Sequence, residues 1–579
     1  MNPRGVRVVL LSGLGCLVSP SVAHSQTWTR TASTAQGAFG NASSHLPSLS
    51  SDGRWIAFSS AATNLVGGDT NNQEDVFVRD LAQATCERAS LAVGMVEANG
   101  ASYFPRLSAD GRFVAFQSYA SNLVAADTNG RVDSFVRDRL LGTTERVSIA
   151  SSGAQGVHPP SFLQPFEALQ AISADGRFVA FASLHGNLVP GDTNSTWDVF
   201  VRDRAAGTTV RASQLPGGPQ GNGMSGQPAI SANGRFVAFS SLASNLAPLD
   251  ANGSTDVFVF HRTSGLLELV SVTPAGFPGA QGAAQPALSA EGMLVAFTSP
   301  GADFVPFDTN GVEDAFVRDR SAGRTERVSV DNAGVECLAP VNSVQLSADG
   351  RHALFTTLSN LLVPGDVDGR SDVFVHDRLD RTTRLVSLDT SNANAVPHAE
   401  HGALSADAHW VAFDSNGAYA AGDTNFVYDV YVRDLFENGP ASFCRVTADN
   451  LGCVARSSLV GEASLSSPAP FAIALSGARN QRQSALVYGF ARCSAPFHGG
   501  TLCIAPPRRR TPIVTTGGSA LPASDCSGHA SFDMDALAAL GVDPELAAGA
   551  ELSCQWFVHD PLVQGAMLFS DALFVRIAP

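Results

Sequence analysis

The chain has 579 residues, of which 44% are hydrophobic, and its 37 basic and 53 acidic residues give a formal net charge of −16. This length exceeds one ordinary core, so it predicts two or more domains or a repeat array. All the basic residues are arginines, and they form no long basic run. The composition therefore argues against nucleic acid and anionic membrane surfaces as partners.

The N-terminal segment, positions 1–25, has the pattern of a secretory signal peptide. Arg4 and Arg7 precede an apolar stretch over positions 8–18, and small residues lead to a predicted cleavage after Ser25. No later segment has 18 consecutive apolar residues, so the sequence predicts no membrane span. We expect the mature chain to be secreted, periplasmic or on the cell surface.

Seven copies of one sequence motif follow, each close to "LSADGRFVAF". The motifs are anchored at Asp52, Asp110, Asp175, Asn233, Glu291, Asp349 and Asp407. The spacing between neighbouring anchors is the same in every step but one. The longer step, from Asp110 to Asp175, contains the insertion "HPPSFLQPFEA". A fixed period of this length indicates a repeat architecture.

Each repeat contains four strand signals. A short apolar strand ends in Leu-Ser or Ile-Ser, and the following Asp-Gly predicts a two-residue hairpin with positive φ at both central positions. An apolar strand, a long polar loop, a third strand such as "DVFVRD", a tight turn and a fourth strand such as "TERVS" complete the unit. Four antiparallel strands repeated seven times predict an all-β, seven-bladed β-propeller.

The ends of the repeat array predict how the ring closes. The seventh repeat lacks a convincing fourth strand, whereas "WTRTAS" at Trp28–Ser33 resembles the fourth strands of the other repeats. We therefore predict that this N-terminal segment completes the last blade by pairing with the strand around residues 429–433. Such a shared blade removes two open sheet edges.

The repeated "S-x-D-G-R-x-x-A-F…DVFVRD" resembles the TolB-like β-propeller repeat, a distant relative of WD repeats, over about Trp28–Thr447. The resemblance implies a propeller in an exported bacterial protein with a binding or scaffolding role. This chain departs from TolB in having a longer loop between the second and third strands, and seven copies where TolB has six.

A cysteine-rich segment follows the repeats. We place the propeller at residues 26–441 and a small, disulfide-bonded, mostly-β domain at 442–579, whose sequence resembles modules appended to propellers in secreted bacterial proteins. Among the 15 pairings open to its six cysteines, the nearest-neighbour one joins Cys444 to Cys453, Cys493 to Cys503 and Cys526 to Cys554. Cys86 and Cys337 lie in different repeats and are predicted to be free or buried.

The two faces of the predicted disc differ in their loops. The connections between first and second strands and between third and fourth strands are tight turns, and we call their side the tight-turn face. The connections between second and third strands and between blades are long, and we call their side the long-loop face. Because binding residues concentrate on long loops held by a rigid scaffold, the long-loop face and the channel mouth are the predicted binding surface.

Each long loop contains an acid, an amide or acid, and an acid at offsets 0, 2 and 6. The seven sets are Asp69, Asn71 and Asp75; Asp127, Asn129 and Asp133; Asp192, Asn194 and Asp198; Asp250, Asn252 and Asp256; Asp308, Asn310 and Asp314; Asp366, Asp368 and Asp372; and Asp423, Asn425 and Asp429. Alternating oxygen ligands suit Ca²⁺, but Asx turns explain the same residues without a metal.

Asp80 stands at the offset of the last EF-hand ligand from Asp69. A strand separates it from Asp75 by about 16 Å, which excludes it from the same ion.

The repeats carry no established catalytic motif. "HAEH" at His398–His401 lacks the H-E-x-x-H spacing, and no G-x-S-x-G elbow or phosphate loop is present. The sequence therefore favours a non-catalytic scaffold that binds a protein or glycan through its long-loop face. A glycan-active hydrolase or lyase and a calcium-braced surface protein stay open. Convergent acid and histidine side chains in the channel would favour the enzyme.

Overall fold

The computed structural model describes residues 29–30, 40–157, 170–388, 398–417 and 427–435, except for positions 249, 365, 367 and 368. Between residues 441 and 576 it describes the backbone of eleven strands. The predicted signal peptide lies outside these residues. The described residues contain no α-helix, and so no helix with the length and hydrophobicity of a membrane span.

Seven four-stranded antiparallel sheets form the blades, and an N-terminal strand, β1 (Thr29–Arg30), belongs to the last of them. Blade 1 contains β2 (Ser44–Leu49), β3 (Trp55–Ser60), β4 (Asp75–Asp80) and β5 (Thr85–Arg88). Blade 2 contains β6 (Ser102–Leu107), β7 (Phe113–Ser118), β8 (Asp133–Asp138) and β9 (Thr143–Arg146). Blade 3 contains β10 (Gln170–Ile172), β11 (Phe178–Ser183), β12 (Asp198–Asp203) and β13 (Thr208–Arg211).

The remaining blades have the same order. Blade 4 contains β14 (Ser225–Ile230), β15 (Phe236–Ser241), β16 (Asp256–His261) and β17 (Leu266–Leu269). Blade 5 contains β18 (Ala284–Leu288), β19 (Leu294–Ser299), β20 (Asp314–Asp319) and β21 (Arg324–Arg327). Blade 6 contains β22 (Val341–Leu346), β23 (His352–Thr357), β24 (Asp372–Asp377) and β25 (Thr382–Leu385). Blade 7 contains β26 (Ala399–Leu404), β27 (Trp410–Ser415) and β28 (Asp429–Asp434) with β1.

The prediction of a seven-bladed propeller closed by an N-terminal strand is therefore confirmed. Thr29 pairs with Val432 and Arg30 with Tyr431 in antiparallel register. The second and third strands of each blade are buried almost throughout, because neighbouring blades cover both of their faces. In blade 1 the rings of Phe58 and Phe77 stack between these strands at a centroid distance of 6.0 Å.

The repeated Ser-x-Asp-Gly-Arg motif forms the turn between first and second strands. In blade 2 the Ser108 hydroxyl donates to Asp110 and accepts from the amide of Phe113, while the Asp110 carboxylate also accepts from the amide of Arg112. The predicted two-residue hairpin is wrong: four residues form the loop, and within it positive φ occurs only at Gly111. The reason is that the serine and aspartate side chains hold a wider turn.

These turns also join the blades to one another. In each blade the residue after the Leu-Ser or Ile-Ser serine donates its amide to the carbonyl of the same residue in the next blade, and the seventh donates to the first. The ring runs through Ser51, Ala109, Ala174, Ala232, Ala290, Ala348 and Ala406, with donor–acceptor distances of 2.8–3.1 Å. Seven hydrogen bonds thus close a circle on the tight-turn face.

The strands after the propeller form three sheets. They are β29 (Ala441–Phe443), β30 (Arg456–Val460), β31 (Ala472–Ala478), β32 (Gln483–Gly489), β33 (Arg492–Phe497), β34 (Gly500–Ile504), β35 (Arg509–Arg510), β36 (Val514–Thr515), β37 (Gly528–Asp533), β38 (Glu551–His559) and β39 (Met567–Arg576). The sheets are β29-β39-β38-β32-β35 with β36 on β32, β30-β31-β37, and the hairpin β33-β34. The predicted disulfide pairings lie outside the described side chains.

We predict that Gly111→Ala destabilises the propeller more than Gly130→Ala. Both glycines have φ near +65 to +70°, so each alanine costs about 1–2 kcal/mol of backbone strain. At Gly111 the new Cβ would also lie 2.5 Å from the Trp55 ring of blade 1, whereas nothing lies within 4 Å at Gly130. Urea unfolding measures the two losses, and equal losses would refute the packing role of Gly111.

Candidate functional site: the long-loop face and the central channel

On the long-loop face, the acid–amide–acid residues form a hydrogen-bonded cluster around an arginine. In blade 1, Arg88 Nη1 lies 3.1 Å from Asp69 Oδ1 and 3.0 Å from Asp75 Oδ2. Asn71 Nδ2 donates to Asp75 Oδ2 at 2.8 Å, and the Ser90 hydroxyl donates to Asp75 Oδ1 at 2.5 Å. The cluster ties the long loop to the outermost strand and to the connection between blades.

The same cluster recurs around Arg146, Arg211 and Arg327. Each of these guanidinium groups contacts the first and third residues of its set at 3.1–3.5 Å. In all four blades the Asn side chain also accepts a backbone amide two residues ahead, as in an Asx turn. Asp366, Asp372 and Asp429 are placed in the equivalent loops, while Asp368, Asp423 and Asn425 lie outside the described residues.

Calcium binding at the seven sets stays a prediction. In blades 1, 2, 3 and 5 the guanidinium group already pairs with the two carboxylates that would bind the ion. Asp80 lies elsewhere, as its spacing predicts: its carboxylate accepts from Arg54 at 2.7 Å on the tight-turn face. The arginine partner was missed because it lies far beyond the acids along the chain, at the end of the next strand.

Burial and ion pairing shift the pKa values of the carboxyl groups in this cluster in opposite directions. Burial raises the pKa of Asp69, and the nearby Arg88 opposes this shift. Glu97 completes the cluster, since it pairs with Arg88 Nη2 at 2.7 Å and accepts from both the hydroxyl and the amide of Thr70. These hydrogen bonds from Thr70, with a smaller contribution from Arg88, lower the pKa of Glu97 to about 2.

The central channel contains a cavity of about 690 Å³, lined by the first strands of all seven blades. Each first strand that is described in full has an irregular register near its middle, as between His45 and Ser48 in blade 1. Five of these bulges place a non-glycine residue at positive φ: Leu46, Phe104, Gln227, Gln285 and His401. Bulges of this kind re-aim side chains, often beside functional sites.

These bulge residues are the functional candidates that the sequence did not indicate. At this position the repeats carry Leu, Phe, Gln, Gln and His, whereas the flanking turn motifs are nearly constant. Variation at one position of a constant scaffold is the signal that would have identified them. All five residues line the cavity.

Arg106 extends into the same cavity from blade 2. The equivalent residues of four other blades are alanines, which leave the space open: Ala171, Ala229, Ala287 and Ala403. The Nη1 atom of Arg106 donates to the carbonyl of Pro105 at 3.0 Å, and no carboxylate of the described residues pairs with Arg106. Burial lowers the pKa of Arg106, but an arginine keeps its charge in proteins.

Blade 7 brings acids and a histidine together at the channel wall. His401 Nδ1 lies 2.9 Å from Asp414 Oδ2, and one ligand atom each of Glu400, His401 and Asp414 lies within 4.8 Å of the others. Leu46 of blade 1 donates its amide to Asp414 at 2.9 Å. These three side chains therefore form a group that could hold a metal ion or exchange protons, and His401 among them lines the cavity.

Three of the arginines that precede the terminal acids of the third strands are buried, namely Arg79, Arg137 and Arg433. Arg137 and Arg433 donate to backbone carbonyls of the preceding blade. Cys337 is buried and Cys86 half-buried, both as free thiols, which confirms that prediction.

No family model and no curated protein matches the chain. It is similar to the solved structure of TolB from Acinetobacter baumannii, at 14% identity over 54% of this chain and 58% of that chain, with a TM-score of 0.31. It is also similar to an oligogalacturonate lyase in complex with manganese, at 12% identity over 72% of this chain and 95% of that chain, with a TM-score of 0.43. A third similar structure is an acylaminoacyl peptidase, at 11% identity over 75% of this chain and 58% of that chain, with a TM-score of 0.41. These likenesses concern the propeller fold, and function is argued from the residues of this chain.

We predict that Glu97→Gln leaves the fold intact at pH 7, because blades 2 and 3 already carry Gln155 and Gln220 at this position. A carboxyl whose folded pKa is lowered from 4.5 to about 2 stabilises the protein above pH 4.5, and this contribution declines as the pH falls toward 2. The difference in Tm between wild type and variant should therefore shrink between pH 4.5 and 2.5. A constant difference would contradict the lowered pKa.

Proposed function

We propose that this protein is an exported, non-catalytic scaffold that binds a protein or glycan partner at its long-loop face and channel mouth. The observation that carries the proposal is Arg106, a charged group in a cavity of about 690 Å³ with no carboxylate partner among the described residues. The pattern of residues 1–25 supports export, and the long loops support the choice of face.

The chemistry of the cavity supports a partner that presents an acidic group. A guanidinium group binds carboxylates in a bidentate manner, and such charge-assisted bonds gain strength away from bulk water. Amides from Gln227, Gln285 and Asn342 line the same cavity and could bond the hydroxyl or amide groups around that acid. An acidic oligosaccharide and an acidic peptide segment share this chemistry.

We predict that Arg106→Gln weakens binding of the acidic partner about tenfold to hundredfold, because the charge-assisted bonds are lost. The binding assays are an array of neutral and acidic glycans and a pull-down from envelope extract. The matched control is Arg112→Gln, which removes an arginine that pairs with Asp138 on the tight-turn face and should leave binding unchanged. Equal binding by wild type and the Arg106 variant would refute the role of the cavity.

A glycan-active enzyme is the second candidate, and the group of Glu400, His401 and Asp414 favours it. His401 lines the channel cavity, with the Asp414 carboxylate 2.9 Å from its Nδ1 and Glu400 nearby, and such a grouping suits general acid–base chemistry. In this case the wild type would cleave a polysaccharide, and His401→Gln would lower the rate by at least about a hundredfold. Glutamine suits the backbone there, because Gln227 and Gln285 occupy the same bulge. Absence of cleavage across a polysaccharide panel would exclude the enzyme.

A further inference from the structure

Blade 4 lacks the arginine around which the acidic cluster forms in blades 1, 2, 3 and 5, and blade 6 has Leu385 at the same position. The fourth strands of blades 1, 2, 3 and 5 end in Arg88, Arg146, Arg211 and Arg327. The fourth strand of blade 4 ends in Leu269, which pairs with Phe258 in the same register as Arg88 pairs with Phe77. A neutral side chain therefore stands where a guanidinium group pairs with two carboxylates in blades 1, 2, 3 and 5.

The replacement extends to the partners of the arginine. The positions of Glu97 and Thr70 in blade 1 correspond to Pro278 and Ala251 in blade 4. All three residues of the arginine–glutamate–threonine network are thus replaced together by residues that carry no charge or side-chain hydrogen bond. The three replacements occur together, and they leave the acidic cluster of blade 4 without its arginine.

The acidic residues of blade 4 nevertheless remain in place. The Ser271 hydroxyl donates to Asp256 Oδ1 at 2.6 Å, and Asn252 Nδ2 donates to Asp256 Oδ2 at 2.9 Å and to the carbonyl of Gly279 at 2.8 Å. These bonds match those around Asp75 in blade 1. The shared hydrogen bonds place Asp256 as Asp75 is placed in blade 1, and Asp250 is close enough for its charge to raise the pKa of Asp256.

Asp250 provides an independent sign of a missing partner. Its side chain is buried, with 8% of the residue exposed, and among the described residues its Oδ1 has no hydrogen-bond partner and no ion pair. In blade 1 the equivalent atom, Asp69 Oδ1, also lacks a hydrogen bond, but it lies 3.1 Å from the guanidinium group of Arg88. Burial raises the pKa of Asp250 and raises that of Asp256 to about 6. Two buried carboxylates in this position require either a cation or a shared proton.

We propose that blade 4 binds a hard cation of the Ca²⁺ class between Asp250 and Asp256, in the position that the arginine occupies in other blades. The two carboxylates supply anionic oxygen ligands, and water and backbone carbonyls complete a coordination shell of six to eight oxygens. The cation holds the long loop to β16, as the guanidinium group does in blade 1. The site is thus a loop brace, and it is independent of the channel cavity.

The test compares Ca²⁺ binding by the wild type and by Leu269→Arg, which restores the guanidinium group. Isothermal titration with CaCl₂ should show that Leu269→Arg removes one binding event of the wild type. Ca²⁺ should raise the Tm of the wild type by about 2–6 °C more, relative to chelator, than it raises the Tm of the variant. Asp250→Asn, which is nearly isosteric, should also lose this event, and it serves as the second variant if Leu269→Arg does not fold.

Blade 1 provides the converse experiment. Arg88→Leu leaves Asp69 and Asp75 without their counter-charge, so it should lower the Tm in chelator and create a second Ca²⁺ binding event. The inference is overturned if Ca²⁺ leaves the Tm of the wild type unchanged, or if Leu269→Arg binds Ca²⁺ as the wild type does. It is also overturned if stability rises as the pH falls through 6 with no effect of Ca²⁺, because the two acids would then share a proton.

Discussion

The closure of the ring is the constraint on which the rest of this structure depends. Seven backbone hydrogen bonds run from turn to turn around the tight-turn face, and the last returns to Ser51 of the first blade. Each bond requires the four-residue turn that the serine and aspartate of the motif hold in place. The pairing of Thr29–Arg30 with β28 closes the same ring from the N-terminal side. A closed ring leaves only the short edges of its blades open, and it fixes the width of the channel.

The repeats contain constant positions that build the ring and variable positions that face the channel. The turn motif, the buried Phe pair and the acid–amide–acid set recur with the same bonds from blade to blade. The bulge residues of the first strands and the Arg106 position differ between blades, and all of them line the channel. The variation therefore makes the channel cavity of this seven-bladed scaffold asymmetric. Blade 2 contributes the positive charge of Arg106, and blade 7 contributes the group of Glu400, His401 and Asp414.

Much of this fold could be predicted from the sequence, because a constant period with four strand signals in every repeat leaves few alternatives to a propeller. The closing strand could also be predicted, since Trp28–Ser33 has the pattern of a missing fourth strand. Fewer of the candidate site residues could be predicted from the sequence. The bulges depend on backbone angles at residues such as Leu46 and His401, and the local amino-acid composition of one strand does not predict those angles. The arginine of each acidic cluster is distant along the chain, so the acids alone resembled half of a calcium loop.

Native-state hydrogen exchange of the full chain and of a chain that lacks residues 26–39 tests the closed ring most directly. The account predicts that removal of β1 lowers amide protection in β28 and also in the turn-to-turn ring, including Ser51 and Ala406, because the last blade can no longer hold its position. Loss of protection confined to β28, with the ring amides as slow as in the full chain, would contradict it.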